Sequence, residues 1–176
     1  MNVAESMKSL ILQAIVTMAA VAMMIEKPPS GLKPELAGLS FFEGSWDCNG
    51  KFLKNDKKIS SDMTFRPDLE GSWLMLRHDD RAPNQFHAVE FWGFDKPSDR
   101  FVAVVTDNFG SVRMFTSPGW QQDRLEWTGD LLTPDKKANQ RFLFERKGAR
   151  EFVMTFELSK EQSDWQPIDT LICAKK

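Results

Sequence analysis

The sequence has no tyrosine, two histidines and two cysteines among 176 residues. Without tyrosine, no phenol is available to move a proton or to meet the polar end of a ligand. Two His and two Cys rule out a zinc ribbon, a multi-His metal cage and a disulfide-dense scaffold. Neither sign of charge prevails: Lys+Arg is 23 and Asp+Glu is 25, for a net charge of -2. That balance excludes the basic footprint of a nucleic-acid binder, which needs clustered cations in excess. Long apolar runs are also missing. The longest, residues 10–25, falls short of the roughly 20 residues that span a bilayer, so no stable membrane span is expected. There is no internal repeat, Ser-His-Asp order, Gly-rich phosphate loop or zinc motif, and no metal or cofactor is expected. Present instead are 14 Phe and 6 Trp, in a chain of a length that suits one domain of about 100–200 residues.

The first 31 residues form a separate unit. Leu10–Ile25 is uncharged, follows Lys8 and contains Ala20-Val21-Ala22, as in a secretory signal with a small-x-small cleavage site. The same segment places Leu10, Ala14, Met18, Val21 and Ile25 on one helical face, as in a retained capping or dimerising helix. Both readings stand. Export to the periplasm or beyond follows if residues 1–22 are a signal, and a cytoplasmic location otherwise. Pro28-Pro29 ends a helix on either reading.

From Ser45 onward the pattern has period two, with turn residues every few positions. A helical turn is predicted over 35–43. Strands are predicted near 45–53, 59–66, 72–79, 86–94, 100–107, 111–117, 124–130, 140–147, 151–159 and 167–174. Asp95-Lys96-Pro97-Ser98-Asp99, Asn108-Phe109-Gly110 and Lys147-Gly148-Ala149-Arg150 are hairpin turns by composition. Short strands joined by short loops make an all-β, antiparallel fold. Residues 32–176 close most economically as a single up-and-down barrel of about ten strands, because closure leaves no free edge; a sandwich is the alternative. The strands at 86–94 and 100–107 are apolar on both faces, so their outer face invites a cover, either the N-terminal segment or a second subunit in a homodimer.

Several motifs carry a resemblance. Gly44-Ser45-Trp46 resembles the G-x-W opening of calycin barrels, the lipocalin-like superfamily. Gly93-Phe94-Asp95, Asp107-Asn108-Phe109-Gly110, Gly119-Trp120, Asp123-Arg124-Leu125-Glu126-Trp127-Thr128-Gly129 and Ser163-Asp164-Trp165 resemble, in that order, a bacterial family catalogued as a domain of unknown function and related to nitrobindin-like heme barrels. The resemblance covers about residues 36–175. It implies a calycin-like barrel, often exported, and implies no activity. Heme-binding relatives use a histidine late in the chain, whereas no His follows His87 here, so heme ligation of that kind is not expected.

Candidate residues divide into walls and polar groups. The expected ligand-binding walls are Trp92, Phe94, Trp73, Met75, Phe101, Met114, Trp127 and Phe144. The expected acid/base groups are Glu90, Asp107, His78 and His87. Glu90 is either a carboxyl in an apolar interior, with its pKa raised by desolvation, or a solvated group on the outer face. Asp107 either guards the barrel mouth or shapes the Asn108-Phe109-Gly110 turn. His78, within Arg77-His78-Asp79-Asp80-Arg81, is either a proton shuttle or part of a solvated loop. Arg113 and Arg146 are either partners for a ligand carboxylate or surface residues. Cys48 and Cys173 fall in the first and last strands, which closure makes neighbours; they form either a disulfide or two buried thiols.

The function expected is binding of a small apolar or aromatic molecule in the barrel. The alternative is a cofactor-free enzyme of cyclase or isomerase type acting in the same cavity. A third reading is a packed structural barrel with no ligand. An inward Glu90 or His with an acid/base partner favours the enzyme, and walls of Phe, Met, Val and Leu alone favour the carrier.

Overall fold

The computed structural model describes residues 31–133, 136–160 and 164–176, with side chains of 131–137 left out. The signal or helix expected at residues 1–30 lies outside the described residues. The first element is a 3-10 helix, η1 (Pro34–Phe41). Proline suits its start, since the amide it lacks is unpaired there anyway.

Eleven strands follow: β1 (Gly44–Phe52), β2 (Lys58–Asp68), β3 (Trp73–Asp80), β4 (His87–Asp95), β5 (Arg100–Asp107), β6 (Val112–Ser117), β7 (Trp120–Gln121), β8 (Arg124–Thr133), β9 (Lys136–Arg146), β10 (Glu151–Ser159) and β11 (Gln166–Lys175). Neighbours pair antiparallel in the order β6-β5-β4-β3-β2-β1-β11-β10-β9-β8, with β7 at the end of β8. A contact between β6 and β8, Thr116 opposite Thr128, closes the ring. The result is a closed ten-strand antiparallel barrel, supplemented by the two-residue β7.

The seam between first and last strands places Cys48 opposite Cys173. Their sulfurs are joined as a disulfide across 125 residues of sequence, and both residues are fully buried.

Cross-strand partners share a face, so the register carries one orientation around the barrel. Phe65 opposes Leu76, Leu76 opposes Glu90, Glu90 opposes Val105, and Val105 opposes Arg113. Phe65, Leu76 and Val105 are buried, so Glu90 and Arg113 belong to the same inward ring.

One end of the barrel is plugged. Phe42, just after η1, packs its ring against those of Phe65, Trp92, Phe144 and Phe152, with centroids 5.2–5.5 Å away. Trp46 Nε1–H donates to the Phe42 carbonyl at 2.6 Å. The Arg146 guanidinium lies 3.7 Å from the Trp120 ring centre and 4.6 Å from that of Phe41, so its cation rests on aromatic faces. Any large cavity must therefore open at the other end. Among the described residues no helix is long and apolar enough to cross a membrane.

Candidate functional site

The open end contains a cavity of about 470 Å³. Its walls include Phe52, Ile59, Leu76, Val105, Phe142, Phe144, Met154, Phe156 and Leu171. The β1–β2 turn brings Lys57 to the mouth, the β3–β4 loop brings Pro83, Asn84, Gln85 and Phe86, and the β5–β6 turn brings Phe109. Set into these walls are His78, Asp80, Glu90, Arg113 and Asp169. Volume and lining both fall in the range of small-molecule sites, which combine apolar walls with a few convergent polar groups.

Glu90 lies toward the floor. It is only 9% exposed, and Trp92 Nε1–H donates to its Oε2 at 2.8 Å. Burial pushes its pKa up; the Trp92 bond and the neighbouring His78 and Arg113 oppose that shift. Asp169 stands on β11, on the face it shares with Leu171 and Cys173. Burial raises its pKa to about 6, against the pull of His78 and with the push of Asp80. Its carboxyl accepts no hydrogen bond from the described residues.

His78 and Asp80 share the inward face of β3 with Leu74 and Leu76. His78 Nε2 lies 3.1 Å from Asp80 Oδ1, and Ser61 Oγ–H donates to the same oxygen. The Asp80 contact assigns the hydrogen to Nε2, leaving Nδ1 as the basic nitrogen. Phe86 meets the imidazole edge to face at 5.2 Å. Arg113 Nη2 donates to Asp107 Oδ2 at 2.9 Å, while its Nε is buried without a partner.

The sequence-derived candidates therefore separate. Glu90, His78 and Phe144 line the cavity. Asp107 does not: its Oδ1 accepts the amides of Phe109 and Ser111 at 3.0 and 3.1 Å, and its Oδ2 accepts Arg113. It shapes the turn and holds the guanidinium at the cavity wall. His87 points outward, with Nδ1 2.8 Å from Asp79 Oδ1, and is no cavity group. Trp92 and Trp127 are buried, their rings 5.1 Å apart. With Phe94 and Phe101, paired at 5.2 Å, they fill the closed half and leave the cavity to other residues.

Trp73, Met75 and Met114 are on the outer face. Trp73 opposes Gly93, where a Cβ would come within 2.6 Å of the indole; the ring lies over a strand position that has no side chain. Met75 opposes Phe91 on that surface, and Met114 is 66% exposed. These apolar residues misled because β3 to β6 are apolar on both sides.

Asp169 and Phe142 escaped the sequence reading, and Asp80 entered it only within the polar run around His78. For Asp169 the signal was present: it alternates with Leu171 and Cys173, and Cys173 must face Cys48. Among the described residues no group of three or more His, Cys, Asp or Glu is placed to hold a metal ion.

Residues 33–171 match the family model described as "Protein of unknown function (DUF1579)". The chain belongs to the DUF1579 family. Among solved structures, this DUF1579 chain is similar to the crystal structure of Rv2717c from M. tuberculosis, with a TM-score of 0.60 and 14% identity over 82% of this chain and 99% of that one. That likeness concerns the fold alone. No curated protein matches the DUF1579 sequence.

Proposed function

We propose that the barrel binds one small, largely apolar or aromatic molecule in the cavity at its open end. A single observation carries this reading: an open cavity of about 470 Å³ walled by Phe, Ile, Leu, Val and Met, with polar groups gathered on part of its lining. A barrel built only for packing would fill such a space, since core voids cost stability. The Cys48–Cys173 disulfide supports residence in an oxidising compartment, and so export.

The test is direct. Native mass spectrometry of protein purified from its own host should show a bound small molecule, and N-phenyl-1-naphthylamine should gain fluorescence on titration. No bound molecule together with no dye binding would sink the reading.

One feature of the cavity favours a second reading, cofactor-free acid/base chemistry on the bound molecule. In that reading His78, oriented by Asp80, serves as base through Nδ1, and Glu90, whose pKa burial raises, serves as acid. A proton removed from one carbon by His78 and one delivered by Glu90 would isomerise or cyclise an unsaturated substrate without any redox partner. Incubating the recovered ligand with protein in D₂O checks this: deuterium should enter carbon positions with the wild type and fail to enter with Glu90→Gln. Equal labelling by both proteins would remove Glu90 from the chemistry.

A further inference from the structure

The polar groups of the cavity are unequal in sign. Its one guanidinium, Arg113, is already engaged by Asp107 at 2.9 Å. Lys57 stands exposed at the mouth, where water screens it. Facing the interior are three carboxyl groups, Asp80, Glu90 and Asp169, and one imidazole. Asp80 is satisfied by His78 and Ser61. Glu90 receives only the Trp92 indole, and no described residue donates to Asp169. Acceptor capacity thus exceeds donor capacity in a place where an unpaired charged group is costly.

Each class of ligand meets this imbalance differently. An anion would face Asp169 and Glu90, and of Arg113 would find only the donors that Asp107 leaves, the buried Nε–H among them. A neutral hydrocarbon would seal Asp169 away from water with no partner. A protonated amine brings donors but no acceptor, and its charge is of the sign that aromatic faces attract. Phe142 and Phe156, whose centroids are 4.8 Å apart, stand beside Asp169 in the register: Asp169 opposes Phe156, and Phe156 opposes Phe142.

We propose that the cavity selects a small organic amine, bound as its ammonium ion, with the charged nitrogen at Asp169 and the apolar body among Phe142, Phe144 and Phe156. This deepens the binding function proposed above and rests on it. The ammonium gives the Asp169 carboxyl a charge-assisted hydrogen bond, and the rings replace the water that the nitrogen loses.

The experiment uses the whole protein at pH 7.5 with N-phenyl-1-naphthylamine as reporter. It is displaced in turn by 1-naphthylmethylamine, the neutral 1-naphthalenemethanol and the anionic 1-naphthoate. These three share one apolar body and differ in charge. The amine should displace the dye at about tenfold lower concentration than the alcohol, as expected for one charge-assisted hydrogen bond, and the carboxylate should be weakest. Within Asp169→Asn, checked for folding by circular dichroism, the ratio of amine to alcohol should fall toward one. An alcohol or carboxylate equal to or better than the amine in the wild type would overturn the amine while leaving a binding cavity. A ratio untouched in Asp169→Asn would overturn the placement of the nitrogen. Failure of the dye and all three naphthalenes to bind would remove the cavity function and the amine with it.

Discussion

Glu90 occupies a position where ionisation is costly, and that cost makes stability depend on pH. Burial raises its pKa above the ordinary glutamate value of 4.5. The unfolded chain loses this proton near 4.5, and the folded chain holds it to higher pH. Between those two points the native state binds more protons, so stability falls as pH rises. Asp169 adds the same sign over a stated window, from its ordinary 3.8 up to about 6. Glu90→Gln keeps an acceptor for the Trp92 indole and removes the titration. It should therefore raise Tm at pH 8 and change little at pH 4, each kcal/mol recovered being worth about 2–4 °C in a domain of this size. Scanning calorimetry at the two pH values checks this. An equal change at both would mean that Glu90 titrates as it does in the unfolded chain.

Among the elements, the seam between β1 and β11 is where the ends of the barrel chain meet, and the disulfide fixes it. It joins Cys48 to Cys173 across 125 residues, so reduction releases a long loop in the unfolded state. In the chain-entropy account a loop of that length is worth about 3–5 kcal/mol. Cys48→Ala/Cys173→Ala should thus lower Tm by about 10 °C, and reductant should lower that of the wild type but not of the variant. Identical melting of both proteins with and without reductant would show the bond unformed. The same seam shows what was legible in the sequence. Alternation placed the strands and left open which face of β4 and β5 turns inward. Pro34 opens η1 one position before the expected turn, β8 runs on to Thr133, and β9 begins earlier, at Lys136. Alternation failed on β3 and β6, where Leu74 and Met75, or Met114 and Phe115, are equally apolar neighbours. Only pairing settles which faces in: Leu76 is held opposite Phe65 and Glu90, and Met75 is thereby turned out. The position of Arg113 follows from the same ring, and no local pattern on β6 announces it.

At the scale of the molecule, the barrel is a solid half and a hollow half. Four of the eight side chains expected to be walls, Trp92, Phe94, Phe101 and Trp127, went into the solid half, because large rings satisfy one another best where they are closely packed. Stability is concentrated there, and the open half is left free to hold a ligand at some expense in packing. This division makes the cavity separable from the fold. Val105 lines the cavity, opposite Glu90 and Arg113, and is buried by them without filling the space beyond. Val105→Phe would place a ring in that space. Where a void exists, filling it commonly stabilises by about 0.5–2 kcal/mol; where a core is already full, the same change costs about 1–3 kcal/mol. The sign of the effect thus reports whether the hollow half is hollow in solution. Val105→Phe should melt at or above the temperature of the wild type and bind N-phenyl-1-naphthylamine at least about tenfold more weakly, the equivalent of about 1.4 kcal/mol. A lowered Tm with dye affinity unchanged would mean that the dye sits elsewhere and that the walls have closed on one another. Stability retained and affinity lost together would tie the ligand to this cavity and free the fold from any dependence on its occupant.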